Sequence, residues 1–541
     1  MANSRRPGTS SDSEIALQAK ASFTTPASCA SQPAIISGNR HKPQASFVES
    51  CARAAEGLRQ LGIGPGDTVG LFLRNDIAFL EASVAAGLLG AYPVALNWHW
   101  TQAEAQYVFS DCAAKVVVIH RDLLQGMRGA LTKDASVIVV ETPPEIAAAY
   151  SIDLQSIART GEPVWDCWLQ QHEPIADPFG EPPGAMIYTS GTTGRPKGVR
   201  RDAPTPSQAV AAARLAERLY GLSTCDEDAV ILVTAPMYHS APNAMGMNGV
   251  RSGGSVILQP KFDAEETLRL IAQCRVTHAY FAPIMFNRLL HLPQEIRATY
   301  DLSSLKFVVH AAAPCPPEIK QAMIAWWGPV IHEFYGCTEA RAVTVCSSQE
   351  WLDHPGTVGR VMPGAMVRIV DAEGKDLPPG QAGEVICGNP EMADFTYQND
   401  QAKRDQANRD GLFAIGDIGY LDDEGYLFIC DRSSDMIISG GVNIYPAEIE
   451  AELVQLPGVS DCAVFGIPDA EFGEAVMAVV QPADGPAPDP GVLRRALRER
   501  LAGYKVPRRI EIMVELPRED SGKIMKRKLR EGYWSNEKRR I

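Results

Sequence analysis

The sequence predicts an α/β protein whose main part is built from doubly wound, mostly parallel sheets. Between about residues 180 and 345, short apolar runs alternate with helical stretches, which is the βαβ rhythm of a parallel sheet. After about residue 356 the pattern changes to short hairpins with turn sequences, which indicates a small β-rich part. From Asp431 onward strands and helices mix again, as in a small α+β unit.

The parallel part can be predicted element by element. Its strands are expected at Ala229–Thr234, Ser255–Leu258, Thr277–Ala282 and Leu305–His310. A helix is predicted over residues 264–273, where Asp263 and Glu266 offer a capping box. A second helix follows a proline-rich start near Pro317–Trp327. Residues Leu61–Leu96 resemble part of a second layer of the same kind.

The later elements are bounded by turn and breaker residues. Asp371–Gly374 and Asp422–Gly425 are hairpin turns of the β-rich part. The end of the chain is predicted to hold a hairpin, a helix after Pro446, and strands near 459–467 and 474–481. A proline-rich loop at 482–490, a further helix, a strand and a lysine-bearing loop follow.

Composition limits the function classes. The chain has 541 residues, enough for about three to four units, and 45% of them are hydrophobic. Its net charge of −14 argues against nucleic acid as a partner. The basic stretches Lys526–Arg530 and Lys538–Arg540 are interpreted as a solvated helix face and a tail. A small-molecule enzyme, monomeric or homodimeric, is expected.

Location is predicted from cysteines and apolar runs. The 12 cysteines form no CxxC pair and no zinc spacing, which is typical of thiols in a reducing cytoplasm. No apolar run reaches the roughly 18–20 residues of a membrane span, so no integral membrane segment is expected. Arg5-Arg6 is not followed by the apolar stretch of an export signal. Residues 1–25 are expected to be a disordered tail.

The most informative motif is the stretch Met186–Val199, in which a strand-like run ends in a loop rich in glycines and hydroxyls, with one lysine. Such a loop can cradle phosphate through backbone N–H groups, hydroxyls and a point charge. Its candidate ligands are Thr189, Ser190, Gly191, Thr192, Thr193, Gly194 and Lys197. Pro196 precedes the lysine and Gly198 follows it, so this is not the Gly-Lys-Ser/Thr loop of the large NTPase class. The alternative is a flexible hydroxyl-rich connector.

Four further segments accompany this loop, at residues 335–340, 416–426, 431–450 and 517–526. Together they resemble, in order, the motifs of the adenylate-forming superfamily, which contains acyl-CoA synthetases, aryl-CoA ligases, luciferases and peptide-synthetase adenylation domains. The resemblance covers most of the chain beyond about residue 30. It implies an N-terminal AMP-binding domain over 26–430, with a β-rich subdomain at about 356–430. A mobile C-terminal domain over 431–541 is implied to rotate about a hinge at Asp431.

The resemblance assigns the nucleotide contacts. The phosphate loop would take the β- and γ-phosphates of ATP, Thr338 the α-phosphate, and Glu339 a bridging Mg²⁺ ion. Asp417 and Arg432 match the ribose contacts. The residues that match the adenine site and its surroundings are Ala311, Ala312, Ala313, Tyr335 and Gly336. The alternative for Asp417 and for Thr338-Glu339 is an ordinary turn.

The acid side of the expected site centres on Tyr238 and His239. Amino-acid-activating relatives carry an aspartate hereabouts, but no acidic residue lies between Ala235 and Arg251, so an amino acid is not the expected substrate. His239 resembles the histidine near the reacting carboxylate of acyl- and aryl-CoA ligases, and a packed histidine is the alternative. A medium-to-large apolar acid, fatty, steroidal or aromatic, is expected. The apolar and small residues expected near its pocket are Met237, Ala241, Ala244, Met245, Met247 and Ala311.

The C-terminal segment supplies two further candidates. Lys523 matches the family lysine that bridges carboxylate and nucleotide during adenylation. Gly440 and Gly441 suit the close passage of the pantetheine arm of CoA, although many CoA ligases have a lysine in place of Gly440. The resemblance therefore implies an AMP-forming acyl-CoA synthetase that uses ATP, Mg²⁺ and CoA. The alternatives are an acyl-AMP ligase that loads a carrier protein, a luciferase-like oxygenase, and a non-catalytic nucleotide-binding module.

Overall fold

The computed structural model describes residues 32–177, 182–190, 196–223, 225–440, 442–483, 485–518 and 524–534. It confirms the predicted class, a mixed α/β fold with parallel sheets and a small C-terminal unit. The predicted tail at 1–25 lies outside the described residues. Within the described part, no helix combines the length and the apolar character needed to cross a bilayer.

The elements follow one another in four stretches. The first holds β1 (Ala34–Ser37), β2 (Arg40–Pro43), α1 (Gln44–Gln60), β3 (Thr68–Phe72), α2 (Ile77–Leu88), β4 (Tyr92–Ala95), α3 (Gln102–Cys112), β5 (Val116–His120), α4 (Arg121–Met127), β6 (Ser136–Val140), α5 (Pro144–Ala149), α6 (Trp165–Leu169), β7 (Met186–Ser190) and β8 (Pro196–Arg201). The second holds α7 (Pro206–Tyr220), β9 (Val230–Val233), α8 (Ser240–Ser252), β10 (Ser255–Leu258), α9 (Ala264–Cys274), β11 (His278–Phe281), α10 (Pro283–Leu290), α11 (Gln294–Arg297), β12 (Phe307–His310), α12 (Pro317–Trp327), β13 (Ile331–Cys337), β14 (Arg341–Cys346), α13 (Ser348–Asp353) and β15 (Arg360–Val361).

The third stretch is β-rich and holds β16 (Met366–Val370), β17 (Gly383–Gly388), β18 (Phe395–Tyr397), α14 (Gln401–Ala407), β19 (Asn408–Arg409), β20 (Leu412–Leu421) and β21 (Leu427–Arg432). The fourth holds β22 (Ile437–Ser439), β23 (Val442–Ile444), α15 (Pro446–Leu453), β24 (Val459–Asp469), β25 (Gly473–Pro482), α16 (Pro490–Arg500), a 3₁₀ turn (Gly503–Lys505), β26 (Arg509–Ile512) and α17 (Lys526–Trp534).

Two large sheets carry the N-terminal part. One has the order β15-β14-β13-β12-β11-β9-β10-β1-β2, with parallel pairs from β13 through to β1. The other has the order β18-β8-β7-β4-β3-β5-β6 and is parallel from β7 to β6. Parallel strands are covered on both faces and therefore need continuous apolar runs. Strand β5 is an example, because all five of its residues are buried.

Two smaller sheets complete the fold. The β-rich part is the antiparallel sheet β16-β17-β20-β19, with β21 paired to β20. The C-terminal sheet has the order β23-β22-β25-β24, and β26 adds to β25 in parallel. Ile437, Ile449, Val464 and Leu497 belong to a hydrophobic core of this C-terminal unit that is separate from the main one. The domain boundary at Asp431 stays a prediction.

The predicted elements match the observed ones with small shifts. β10 and α12 have the predicted bounds, whereas β11 is shorter at both ends. The expected capping box is only half present. The Asp263 carboxylate accepts the backbone N–H of Glu266 at 2.9 Å, but the Glu266 side chain pairs with Arg269 at 2.6 Å instead of returning to the cap.

A buried ion pair joins α12 to β13. The ammonium of Lys320, which is fully buried, lies 2.5 Å from a carboxylate oxygen of Glu333. Nε2 of buried His310 lies 3.5 Å from the same oxygen. Burial raises the pKa of Glu333, which Lys320 opposes, and lowers the pKa of His310 well below its usual range. The Lys320 ammonium thus favours the charged form of the buried Glu333 carboxylate.

We predict that Glu333→Ala strongly destabilises the protein, because it leaves the Lys320 ammonium buried without its carboxylate. Removing one partner of a buried pair typically costs about 3–5 kcal/mol. Differential scanning calorimetry should show a Tm lower by roughly 5 °C or more. The double variant Lys320→Met/Glu333→Leu should recover most of the loss, since it removes both charges. An unchanged Tm in the single variant would contradict this role.

Candidate active site

A cleft of about 2750 Å³ lies at the carboxyl ends of β9, β12 and β13. This is the usual binding place in open parallel sheets. Residues from the N-terminal, β-rich and C-terminal stretches line it, including Ile524–Lys528, Arg530 and Glu531 near the C-terminus. The predicted nucleotide, hinge and acid-site residues whose side chains the structure describes lie in its wall, except Gly440. Gly191–Gly194, Gly441 and Lys523 lie outside the described residues.

The phosphate loop connects two antiparallel strands. Ser190 at the end of β7 pairs with Pro196 at the start of β8, and Thr189 pairs with Lys197. This register places the Thr189 and Lys197 side chains side by side at the cleft. Burial and the neighbouring Lys403 lower the pKa of Lys197 to about 8, although Glu339 opposes this effect.

Glu339 lies against the phosphate strands. One of its carboxylate oxygens accepts hydrogen bonds from Thr189 Oγ1 at 3.5 Å and from the hydroxyl of Tyr397 at 3.1 Å. Thr338 Oγ1 lies 3.3 Å from the hydroxyl oxygen of Ser240 on the acid side. Tyr397 belongs to β18, which pairs with β8, and it was not predicted because no motif marks it.

Arg201, at the end of β8, holds this pair in place. Its guanidinium donates to the backbone carbonyls of Thr338 and of Glu339, the latter at 2.8 Å. A further bond to the carbonyl of Ala393 at 3.3 Å reaches the segment before β18. Burial lowers the pKa of Arg201. These contacts join β8 to the backbone at Thr338 and Glu339. They could not be predicted from the sequence, because the residues involved are far apart along the chain.

The donor set around Glu339 suits Mg²⁺. Among the described residues, no group of three or more metal-ligating side chains comes together. Mg²⁺ does not require such a cage, because it usually binds one or two carboxylates together with substrate phosphates. The Glu339 carboxylate at the phosphate loop provides that arrangement.

Asp417 is at the centre of the expected ribose site. It is 4% exposed, accepts a hydrogen bond from the Tyr335 hydroxyl at 2.6 Å, and pairs with Nε of Arg432 at 2.7 Å. Asp417 and Arg432 are direct partners between β20 and β21. Burial and the neighbouring carboxylate raise the pKa of Tyr335 well above its usual range. A turn residue on the surface, the alternative reading of Asp417, would not be enclosed in this way.

The backbone around the expected adenine site is unusual. Ala312, between Ala311 and Ala313 in the cleft wall, has a φ of +80°, which a non-glycine residue seldom adopts. At Gly336 a Cβ atom would lie 2.0 Å from the carbonyl oxygen of Arg341, so only glycine fits this β-bulge. Both features bring backbone close to the space in the cleft.

His239 and Tyr238 lie together in the cleft wall. His239 is the N-cap of α8, and its ring centroid is 4.4 Å from that of Tyr238. The Tyr238 ring meets Trp98 edge-on at 6.4 Å, and the guanidinium of Arg74 lies 4.9 Å from the Trp98 ring. Trp98 and Arg74 were not expected from the sequence, because no motif marks them.

Part of the cleft wall is apolar and comes from two helices; this part is called the apolar groove. Leu215, Ala216 and Leu219 of α7 and Ala244 and Met247 of α8 line it. Ala241, Ala244, Met247 and Ala311 were expected here and are found here.

The expectation for Met237 and Met245 was wrong. They are 1% and 0% exposed, belong to the main core, and do not line the groove.

Asp431, the predicted hinge residue, lies inside β21 and is paired with Ile418. One carboxylate oxygen accepts the N–H of Arg432 at 2.7 Å, and the other accepts the N–H of Ala447 at 2.9 Å. Ala447 is in the first turn of α15, whose own N-cap residue Tyr445 makes no side-chain cap. Burial raises the pKa of Asp431, and Lys526 opposes this effect. Asp431 thus caps a C-terminal helix from an N-terminal strand.

The segment after Lys523 faces the cleft, whereas the described residues of the β22–β23 hairpin do not line it. Gly440 in this hairpin has a φ of +58°, and its N–H donates to the carbonyl of Phe472 at 2.8 Å. The prediction that Lys526–Arg530 form a solvated helix face is wrong for Lys526 and Arg530, which form ion pairs within the C-terminal unit. Lys526 pairs with Glu450 at 2.8 Å, and Arg530 reaches Asp435 at 3.4 Å.

Comparison with known proteins agrees with this geometry. The family model "AMP-binding enzyme" matches residues 24–395, and the model "AMP-binding enzyme C-terminal domain" matches residues 448–523. The chain therefore belongs to the AMP-binding enzymes, the adenylate-forming superfamily expected from the motifs. Within it the chain falls among the AMP-forming CoA ligases, enzymes that join an acid to a thiol and use ATP, Mg²⁺ and CoA.

Individual relatives cover almost the whole chain. A feruloyl-CoA synthase of an Amycolatopsis species is 34% identical over 92% of this chain and 96% of its own length. An indoleacetate–CoA ligase of Aromatoleum aromaticum is 32% identical over 88% of this chain and 91% of its own. The crystal structure of ATP-bound MatB from Rhodopseudomonas palustris is 28% identical, with a TM-score of 0.80 over 96% of this chain and 98% of that one.

The lowered pKa of Lys197 predicts an unusually reactive amine. With a pKa of about 8, roughly half of this side chain is neutral at pH 8, whereas a lysine of ordinary pKa, about 10.4, is almost fully charged. Acetylation by an activated ester, followed by peptide mass spectrometry, should label Lys197 faster than exposed Lys375 at pH 8. The rate should fall as the pH drops below 8. Equal rates for the two lysines would contradict the prediction.

Proposed function

We propose that this protein is an AMP-forming acyl-CoA synthetase for a medium-to-large apolar acid. The observation that carries the proposal is that a single cleft is lined by the motif residues Thr189, Lys197, Glu339 and Asp417, by His239, and by the apolar residues of α7 and α8. In the first step an acid oxygen forms a bond to the α-phosphorus of ATP, and pyrophosphate leaves with the electron pair. In the second step the CoA thiol attacks the acyl carbon, and AMP leaves.

We assign the nucleotide to the side where the charges lie. Asp417 and Arg432 would hold the ribose, the stretch Ala311–Ala313 would lie along the adenine, and Thr338 would donate to the α-phosphate. The loop 189–194 and Lys197 would hold the β- and γ-phosphates. Mg²⁺, when bound at Glu339, would reduce the negative charge on the phosphates. The protein's own contribution is positioning and charge stabilisation, since no side-chain nucleophile is needed.

The groove between α7 and α8 supports an apolar acid. From Ser240 to Arg251 helix α8 rises by about 16 Å, at ~1.5 Å per residue, and both ends of this stretch line the cleft. A groove of that length fits a fatty chain, a steroid side chain or an aromatic acid with its linker. The names of the two relatives, which specify feruloyl and indoleacetate substrates, favour the aromatic class. Apolar lining gives no partner for an ammonium, which argues against amino acids.

We further propose that the C-terminal unit, residues 431–541, rotates about Asp431 between the two steps. In the orientation described here the segment after Lys523 faces the cleft, which supports the adenylation geometry. The second step would bring the Gly440–Gly441 hairpin to the cleft to accompany CoA. A cytoplasmic location and a monomeric or homodimeric state stay predictions from the sequence.

A panel of fatty, bile-type and aryl acids in a pyrophosphate-release assay, with CoA or a phosphopantetheinyl carrier protein as acceptor, tests the proposal. Acid-dependent pyrophosphate release followed by acyl-CoA formation is the expected result. If the acyl group is transferred to the carrier protein but not to CoA, the protein is an acyl-AMP ligase instead of an acyl-CoA synthetase. ATP binding without turnover of any acid would favour the non-catalytic module.

We predict that Lys523→Ala blocks adenylation selectively. Its ammonium would stabilise charge between the carboxylate and the α-phosphate, and losing one such preorganised contact costs about 10²–10³ in rate. Single-turnover assays should show that loss in acyl-AMP formation. Supplied acyl-AMP should still react with CoA at nearly the wild-type rate, because that step uses another face of the unit. Normal adenylation by the variant would remove Lys523 from the mechanism.

For His239→Ala we expect a reduced kcat/KM for the acid with little change in ATP affinity. The ring lies at the junction of the nucleotide side and the apolar groove, where the carboxylate would react. Steady-state kinetics with varied acid and varied ATP separate the two effects. Met245→Leu, a conservative change in the adjacent core, is the matched control and should leave both unchanged. If kcat/KM is unchanged for every acid tested, His239 has only a packing role and takes no part in acid activation.

A further inference from the structure

The connection that follows β3 reaches the segment before His239 through one buried side chain, that of Asn75. Its amide nitrogen donates to the backbone carbonyl of Ala235 at 3.0 Å and to that of Gln259 at 3.1 Å. Its amide oxygen accepts the backbone N–H of Met237 at 2.9 Å. Asn75 is 4% exposed and does not line the cleft. Both of its N–H donors and its oxygen are therefore committed to the backbone.

These three bonds join the two large sheets near the carboxyl ends of their strands. β3 belongs to the seven-stranded sheet, whereas Ala235 and Gln259 come shortly after β9 and β10 of the nine-stranded sheet. Only an amide suits this position, since an aspartate of the same shape has no donor for the two carbonyls.

The backbone of Met237 is held from its other side as well. The side-chain amide of Asn243, on α8, donates to the Met237 carbonyl at 2.9 Å. The N–H of Met237 is thus bound to Asn75 and its carbonyl to Asn243. Tyr238 and His239 follow directly and line the cleft. Because a buried backbone group that loses its partner costs free energy, these bonds favour one position of the segment that carries the two rings.

The backbone on both sides of Asn75 is fixed by a buried network. The N–H of Arg74 donates to Nδ1 of His120 at 3.1 Å, so the ring proton of His120 is on Nε2. This Nε2 donates to one carboxylate oxygen of Asp76 at 3.0 Å, and the other oxygen accepts the N–H of Ile77 at 2.6 Å, at the start of α2. His120 and Asp76 are completely buried. Asn75 is therefore presented to its partners from a backbone that is itself held in place.

We propose that Asn75 is a positioning residue for the acid: it determines where Tyr238 and His239 lie, and through them where the reacting carboxylate is held. This inference rests on the proposed function. Asn75 does not touch the acid and acts only through the backbone at Met237. The proposed nucleotide contacts at Asp417 have other partners, so they do not depend on Asn75. The loss of Asn75 should therefore affect the acid and leave ATP binding intact.

Steady-state kinetics of Asn75→Ala test this role with the best acid of the panel. A displacement of about 1 Å in a reacting group can cost on the order of 10²-fold in rate, so we expect kcat/KM for the acid to fall by roughly 10- to 100-fold. The KM for ATP and the Kd of a non-hydrolysable ATP analogue should stay at the wild-type level. Asn243→Ala, which removes one bond to the same backbone, should show the same separation with a smaller loss.

Thr68→Val is the matched control. Thr68 is buried at the opposite end of β3, and its hydroxyl donates to the carbonyl of Cys112 at 2.7 Å. This variant also removes a buried bond from a side chain to the backbone, but it does so away from the segment at Met237. It should lower the Tm while leaving kcat/KM for the acid unchanged.

Two results would overturn the inference. One is an unchanged kcat/KM for the acid in Asn75→Ala, and the other is an equal loss in ATP affinity, which would indicate a general structural role. If circular dichroism shows that Asn75→Ala does not fold, Asn243→Ala decides by the same two criteria. Failure of the proposed function gives a different pattern, in which the wild type binds the ATP analogue but adenylates no acid. In that case the inference fails with it.

Discussion

The contact between Arg201 and the backbone of Thr338 and Glu339 holds the candidate site together. Arg201 ends a strand of the seven-stranded sheet, whereas Thr338 and Glu339 follow a strand of the nine-stranded sheet. The two sheets share one hydrophobic core, and this contact adds a polar link between them at the cleft. A guanidinium suits this position, because its planar donors can reach several carbonyls at once. The phosphate strands, Glu339 and Tyr397 all take their relative positions from this junction.

Local patterns in the sequence predicted the elements well, as at β10 and α12, because apolar runs bounded by breakers determine strands and helices. The motif residues that the structure describes also came together, since strand ends in a parallel sheet meet at one edge. Contacts between distant segments could not be predicted. Tyr397 reaches Glu339 only because β18 adds to β8, and neither strand indicates that pairing. Met237 and Met245 show a related limit: composition does not tell whether an apolar side chain faces the core or a cleft.

The two walls of the cleft are stabilised by different interactions. The nucleotide wall depends on hydrogen bonds to charged groups, as in the set Tyr335, Asp417 and Arg432. The wall at His239 depends on ring contacts, in which Tyr238 lies against Trp98 and Trp98 against Arg74. Arg74 is itself paired with Asp122 at 2.9 Å. The two sets of contacts involve different residues, so a substitution among the rings at His239 leaves the hydrogen bonds of Asp417 in place.

The double contact of Asp431 has a consequence for timing. Its carboxylate caps α15 while bound to the strand that carries it, so a turn of the C-terminal unit must first release the Ala447 N–H. A buried carboxylate that loses a hydrogen-bond donor, and a helix that loses its cap, each cost about 1–2 kcal/mol. Orientations of the C-terminal unit between the two proposed end states would therefore be sparsely populated. The unit would occupy the two end states and pass between them in one cooperative step. In the proposed mechanism, this double contact would keep the mixed anhydride enclosed until the C-terminal unit turns.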